Sequence, residues 1–247
     1  MSMCKEDGTR VDNPTKVKKQ IVGFLKRLLS EVSSNTPINQ EVLRKAPPGR
    51  LTHDQCNDLL KGVTEGEIKD VLFSLKDNKA LASDGYNALF FKKAWGIVGN
   101  DVVRAIKSFF TSGCLLREFN ATTIALIPKV PDPTKLKTIS CCNTIYKCIS
   151  KIIANRIKPV LPHCRCKQQT TFVEGRRIGN NILLAQELLR NYHRDQGTPQ
   201  CALKVDLMKA YDTVRWDFVL VVLKTIGFPQ QSCIMDYGVC YYDQVYG

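Results

Sequence analysis

No stretch of this 247-residue sequence approaches the roughly 18 apolar residues that a membrane-spanning helix needs; the longest candidate, Phe218 to Leu223, falls far short. The opening residues, Met1 to Arg10, are polar and charged and do not fit a secretory signal, so an intracellular protein with no membrane partner is expected. Acid is scarce beside base, with 23 Asp and Glu against 36 Lys and Arg and a formal net charge of +13. Two adjacent aspartates occur nowhere. The 11 cysteines include no C-x-x-C pair, which argues against a zinc or disulfide framework. Cys141 and Cys142 are neighbours, and His163, Cys164 and Cys166 form one short cluster with no second ligand pair. The thiols therefore read as small core residues. Repeats and low-complexity tracts are also missing. What is present, 44% hydrophobic and 24% charged residues, is ordinary globular composition.

The surplus of base is uneven. Between Leu115 and Gln200 there are 14 Lys and Arg against 5 Asp and Glu. A cationic surface of this kind suits a phosphate-rich partner, because neutralised phosphates release their counterions. Charge alone leaves open an inert basic surface.

Apolar spacing sketches the elements. Val17, Ile21, Phe24, Leu25, Leu28 and Leu29 predict an amphipathic helix over Val17 to Val32, followed by a loop from Ser33 to His53. Thr64 with Glu67 three residues on is a capping box, and the helix it opens is expected to reach about Leu75. Asp84-Gly85 marks a turn. Phe91, Trp95, Val98, Val102, Ile106 and Phe109 predict a helix pair over Ala88 to Ser112, broken near Gly99 and Asn100. Thr122 to Val130 is rich in β-branched residues and stops at prolines, as a strand does. Thr144 to Val160 reads as a helix with Lys147, Lys151, Arg156 and Lys158 off its core stripe, and Asn180 to His193 as another. Cys201 to Leu207 alternates, with Leu203, Val205 and Leu207 on one face and Lys204 and Asp206 on the other. A helix from Trp216 to Ile226, with Phe218, Val221, Val222 and Leu223 inward, ends at Gly227 and Pro229.

Chemistry concentrates in Lys204-Val205-Asp206-Leu207-Met208-Lys209-Ala210-Tyr211-Asp212. A carboxylate at a strand end, off the buried face, is placed to hold a hard divalent cation through oxygen. Taken by itself, Asp206 reads more readily as a solvated strand-end acid. The wider pattern changes the weighting. Asp206, Ala210, Tyr211 and Asp212 resemble the first catalytic motif of LINE-type (non-LTR retrotransposon) reverse transcriptases, those of plants in particular. The resemblance continues through Asp212-Thr213-Val214-Arg215-Trp216-Asp217-Phe218 and Ile226-Gly227-Phe228-Pro229. Upstream, in the family's order, come Lys79 to Tyr86, Leu126-Ile127-Pro128-Lys129, Ile139 to Lys147, Gln169 to Arg176 and Asn181 to Glu187.

The resemblance implies an α+β fold, the fingers and partial palm of a right-hand polymerase preceded by a helical N-terminal region. Boundaries are expected at 1–62 for that region, 63–120 for a helical pre-fingers region, 121–199 for fingers and 200–247 for partial palm. It implies RNA-directed DNA polymerisation with Mg²⁺, deoxynucleotides, an RNA template and a DNA primer. By the same resemblance Asp206 is the catalytic and metal-binding carboxylate, and Leu207 lends a backbone carbonyl to the metal. Tyr211 lies under the nucleotide's sugar, Lys129 contacts triphosphate or template, and Gly175 and Arg176 lie near the template strand. Without the family, Tyr211 reads as a core aromatic and Arg176 as a solvated loop charge. Asp212 fits a turn anchor.

Three departures stand out. The family's Tyr/Phe-Ala-Asp-Asp hairpin is absent, the sequence ending 35 residues after Asp212. Two-metal chemistry needs several negative oxygens around cations about 4 Å apart, and Asp206 alone does not supply them. Lys137-Thr138-Ile139-Ser140 stands where the family has Arg-Pro-Ile-Ser, so Lys135 or Lys137 replaces a bidentate Arg with a point charge. Leu81-Ala82-Ser83 replaces a Pro-Gly-Pro turn. These departures predict a reverse transcriptase segment that does not polymerise by itself, or a remnant that only binds nucleic acid.

Overall fold

Asn13 opens the first long helix, its Oδ1 accepting the N–H groups of Thr15 at 3.0 Å and Lys16 at 3.3 Å. Pro14, whose missing N–H costs nothing at the first helical position, follows it. The computed structural model of this chain describes residues 3–4, 10–11, 13–30, 49–128, 136–162, 164, 178–190 and 214–230. Helix α1 spans Pro14–Ser30 and buries Val17 and Ile21, as their spacing predicts. Before it, β1 (Met3–Cys4) pairs antiparallel with β2 (Arg10–Val11).

Helix α2, His53–Leu60, is not among the expected elements, which place a loop from Ser33 to His53 and the next helix only after Thr64. Its signal is nonetheless present in Thr52-His53-Asp54-Gln55. The Thr52 hydroxyl accepts the Gln55 N–H at 3.3 Å, and the Gln55 side chain accepts the Thr52 N–H at 3.0 Å. These are the two reciprocal bonds of a capping box. At α3, Glu65–Phe73, the expected box is only half formed. Thr64 Oγ1 accepts the Glu67 N–H at 3.1 Å, but the Glu67 carboxylate turns to Arg156. A two-pronged guanidinium bond outcompetes a single backbone N–H for that carboxylate.

The expected helix pair is α4 (Ala88–Lys93) and α5 (Trp95–Ser112), with the break at Ala94 rather than near Gly99. Gly99 lies inside α5 for a packing reason. A Cβ there would meet the Trp95 indole at 3.0 Å, so the glycine makes room for that ring. Short α6 (Arg117–Asn120) leads into β3 (Thr122–Pro128), which matches the predicted strand. Its partner β4 (Leu136–Cys142) was not predicted. The two are antiparallel, with Thr122 opposite Cys142 and Pro128 opposite Leu136. Helix α7 follows at Thr144–Ile157.

The main core lies between α3, α5 and α7. Ile68 and Leu72 meet Ile106 and Phe109 and, from α7, Ile149 and Ile152. Each such enclosed side chain contributes about 1.5–3 kcal/mol over leaving it in water. Cys148 is enclosed with them, its thiol 3.8 Å from the Ile68 carbonyl, and burial pushes its pKa from 9.0 up to about 12. It behaves as a core residue, as the cysteine pattern predicted.

The last described helices are α8 (Ile178–Leu189) and α9 (Trp216–Ile226). Helix α9 closes a second, smaller cluster in which Leu59 of α2 meets Val160, Cys164, Ile226 and Phe228. Val222 and Leu223 pack against this cluster as expected, whereas Phe218 stays exposed. Across the chain, the Leu51 N–H donates to the Ile226 carbonyl at 3.0 Å and the Cys56 thiol to the Gly227 carbonyl at 3.4 Å. The alternating segment Cys201 to Leu207 lies outside the described residues. Among those residues, no helix is long and apolar enough to cross a membrane.

Candidate nucleic-acid interface

Two blocks that the sequence presents 58 or more residues apart form one unit in space. Asp84, in the turn of Lys79 to Tyr86, accepts the Tyr86 N–H on Oδ1 at 3.1 Å. Gly85 takes a φ of +74° there, a conformation in which a side chain is strained. The other Asp84 oxygen accepts the Asn143 side-chain amide. Asn143 in turn accepts the Ile145 N–H at 2.8 Å and so caps α7. Thr144 adds a hydroxyl bond to the Tyr86 carbonyl at 3.2 Å. Asn143 and Thr144 are 3% and 2% exposed, so these polar bonds are made away from water, where leaving them unmade is costly. The result ties the turn before α4 to the junction of β4 and α7. Of these residues the sequence marks only the Asp84-Gly85 turn; for Asn143 the available signal was its N-cap position ahead of an apolar-periodic segment.

Beside this junction the Tyr86 and Phe90 rings lie 4.4 Å apart, centroid to centroid, and both are partly exposed. Phe91 meets both rings edge-on. Asn87 positions α4 by accepting the Phe90 N–H at 3.0 Å.

Not all of the cationic surplus faces outward. Arg156, expected off the core stripe of α7, binds Glu67 through Nε at 2.9 Å and Nη2 at 2.7 Å. It also donates to the carbonyls of Lys61 and Gly62, and its guanidinium lies 5.8 Å from the Phe110 ring centroid. With four of its five donors engaged it fastens α7 to the start of α3 and offers little to a phosphate. Lys92 is likewise turned inward, donating to the Leu75 carbonyl at 2.6 Å and pairing with Asp77. Near the start of α9, Arg215 binds Asp217, and this hydrogen bond holds the Asp217 carboxyl below its ordinary range.

The residues predicted to carry the chemistry lie outside the described residues: Lys129, Gly175, Arg176, Asp206, Leu207 and Tyr211. Of their surroundings, β3 brings the chain to Pro128, directly before Lys129, and α9 begins ten residues after Asp206. Among the described residues, no three His, Cys, Asp or Glu side chains gather into a metal-binding group.

Residues 127–245 match the family described as reverse transcriptase (RNA-dependent DNA polymerase). That span begins in β3 and takes in every predicted site residue. The chain is also 27% identical, over 229 residues, to the 149 kDa protein of transposon TX1 from Xenopus laevis. This similarity covers 92% of the chain and 17% of that protein, so the chain spans about one-sixth of its relative's length. At 92% coverage it includes the upstream α3, α4 and α5 together with the hairpin and α7. The blocks that carry the predicted carboxylate thus fall within the matched span, the helices fastened to them share the transposon similarity, and both comparisons support the resemblance to reverse transcriptases of LINE-type, non-LTR retrotransposons.

Proposed function

We propose that these residues form the fingers and the opening of the palm of an RNA-directed DNA polymerase. By themselves they hold a primed RNA template without extending the primer. The carrying observation is the family match over 127–245, which spans the block around Asp206 in a sequence that contains no Asp-Asp pair. In this reading Asp206 and the Leu207 carbonyl are the chain's contribution to a Mg²⁺ site, hard oxygen donors for a hard cation. Bound there, the cation would supply charge neutralisation at the transferring phosphate. Tyr211 supports the sugar of an incoming deoxynucleotide. Lys129 meets triphosphate or template as a point charge. Gly175 lets the template backbone approach, and Arg176 binds its phosphates. The Asp84–Asn143 junction holds β4 and α7 in place, and the Tyr86–Phe90 rings offer a stacking face for an unpaired base.

Two measurements on the 247-residue chain test this reading. Its affinity for a DNA-primed RNA template should fall steeply and linearly on a log–log plot against salt; a flat slope would remove phosphate contact from the reading. Extension of oligo(dT) on poly(rA) should give no incorporation. Incorporation that Asp206→Ala abolishes would show that these residues do polymerise and would overturn the inactive assignment.

A further inference from the structure

Helix α1 combines three features that a merely solvated helix does not need. Its 17 residues, Pro14–Ser30, include Lys16, Lys18, Lys19, Lys26 and Arg27 and no Asp or Glu. Solvated helix faces ordinarily mix signs and gain from acid–base pairs three or four residues apart. Here Lys16 and Lys19 are three apart with like charge, which costs rather than contributes. Lys16 also lies in the first turn, the positive end of the helix dipole, where a cation is disfavoured, and Lys18 and Lys19 follow in the next. All three are exposed, and among the described residues none meets a carboxylate. The other described helices place their charge differently: α2, α3, α5, α6, α8 and α9 each contain acid, and of the two that lack it α4 pairs Lys92 with Asp77 and α7 turns Arg156 inward onto Glu67.

We infer that the exposed lysine face of α1 is an RNA-backbone contact, separate from the basic segment 115–200 and assigned to nothing in the polymerase reading. A line of phosphates would relieve both the lysine repulsion and the unfavourable dipole. The N-terminal N–H groups of α1 are already satisfied by Asn13, so the lysine side chains rather than the helix end make the contact. An anionic membrane offers similar charge. A surface-bound amphipathic helix, however, must lay its apolar face into the lipid, and here Val17 and Ile21 are 3% and 7% exposed, already packed within the protein. The inference rests on the RNA-binding reading above and adds the element that grips the strand.

The test compares the full chain with Lys16→Gln/Lys18→Gln/Lys19→Gln and with Lys76→Gln/Lys93→Gln/Lys107→Gln, an equal change of charge at exposed lysines elsewhere. Binding to poly(rU) is measured from about 50 to 200 mM salt. The α1 variant should lower the log–log slope by about 2, from roughly 0.7 per phosphate contact on a single strand. Lys16→Arg/Lys18→Arg/Lys19→Arg should retain the original slope. An α1 variant indistinguishable from the control overturns the inference while leaving template binding intact. Failure of the unmodified chain to bind poly(rU) even at low salt overturns both. An α1 variant that loses phosphatidylserine vesicles but keeps its RNA slope transfers the face to lipid and likewise overturns it.

Discussion

The helices α3, α5 and α7 and the helix α8 are both rich in leucine and isoleucine, yet they treat them in opposite ways. Ile68, Leu72, Ile106, Ile149 and Ile152 are fully enclosed between α3, α5 and α7. On α8, Ile182, Leu183 and Leu184 remain 55%, 65% and 49% exposed. Apolar content is therefore not what closes a core. In α3, α5 and α7 the apolar residues recur every three or four positions, so each helix presents one stripe and three stripes meet. In α8 three apolar residues are consecutive, and at about 100° per residue they fan around the helix. No single neighbouring face can cover them all.

Truncation should break this comparison most sharply. Ile149→Ala is expected to lower unfolding stability by about 2–5 kcal/mol in urea titration, through lost burial and the cavity left behind. Leu183→Ala should cost less than about 0.5 kcal/mol. Equal costs would mean that α8 is enclosed in solution as well.

The Glu67–Arg156 pair sharpens the same contrast, because it fastens two of the core helices. Replacing Arg156 by Met removes partners from Glu67 and from the Lys61 and Gly62 carbonyls together. A double-mutant cycle with Glu67→Gln should give a coupling of about 1–3 kcal/mol, less than a fully buried pair because both side chains keep some exposure. A coupling near zero would reduce the pair to a surface contact.

Asn143→Ala is expected to cost about 1–2 kcal/mol, since it removes a helix cap and leaves Asp84 without its amide donor. Amide exchange should quicken at Ile145 and around Tyr86 and stay unchanged along α8. Uniform quickening would show that the junction supports the whole fold rather than one corner.

The last expected effect is one of pH and is absent at neutrality. The Cys148 thiol keeps its proton to about 12 in the folded chain, against 9.0 as its ordinary value. Above pH 9 the unfolded chain therefore releases a proton that the folded chain retains. Stability is full below pH 9 and declines from there toward pH 12. Cys148→Ala should flatten that decline, and a profile unchanged by the substitution would remove the thiol as its source.

Much of this was legible beforehand, wherever one physical signal acted alone. The stripes of α5 and α7, the β-branched run of β3 and the Asp84-Gly85 turn each follow from local chemistry, and each is found. Errors arose where distant groups competed. The half-formed cap of α3 depends on Arg156, 89 residues away. The break expected near Gly99 is not found because that glycine makes room for the Trp95 ring inside α5. Strand β4 is not foreseen because Leu136 to Cys142, which lacks a regular alternation of apolar and polar residues, declares itself only through the register with β3. Helix α2 carries a local signal, the Thr52–Gln55 capping box, that needs no distant partner. The site stands apart from all these. Its residues were legible as family blocks, but what makes a lone carboxylate catalytic is its neighbours in space, and spacing along a chain does not contain them.

The bond from Leu51 to Ile226, with that from Cys56 to Gly227, sets a timetable for synthesis. The second spans 171 residues. On a ribosome adding about 5–20 residues per second, α2 would wait roughly 10–30 seconds for its neighbours to emerge. Contacts between such distant parts of a chain also form slowly once both ends are free. Until then Leu59 lacks Ile226 and Phe228, and only Val160 and Cys164 of its buried cluster are available earlier. Halting translation shortly before Ile226 should leave the nascent chain cleavable by protease around His53–Leu60, and releasing it past Phe228 should close that window.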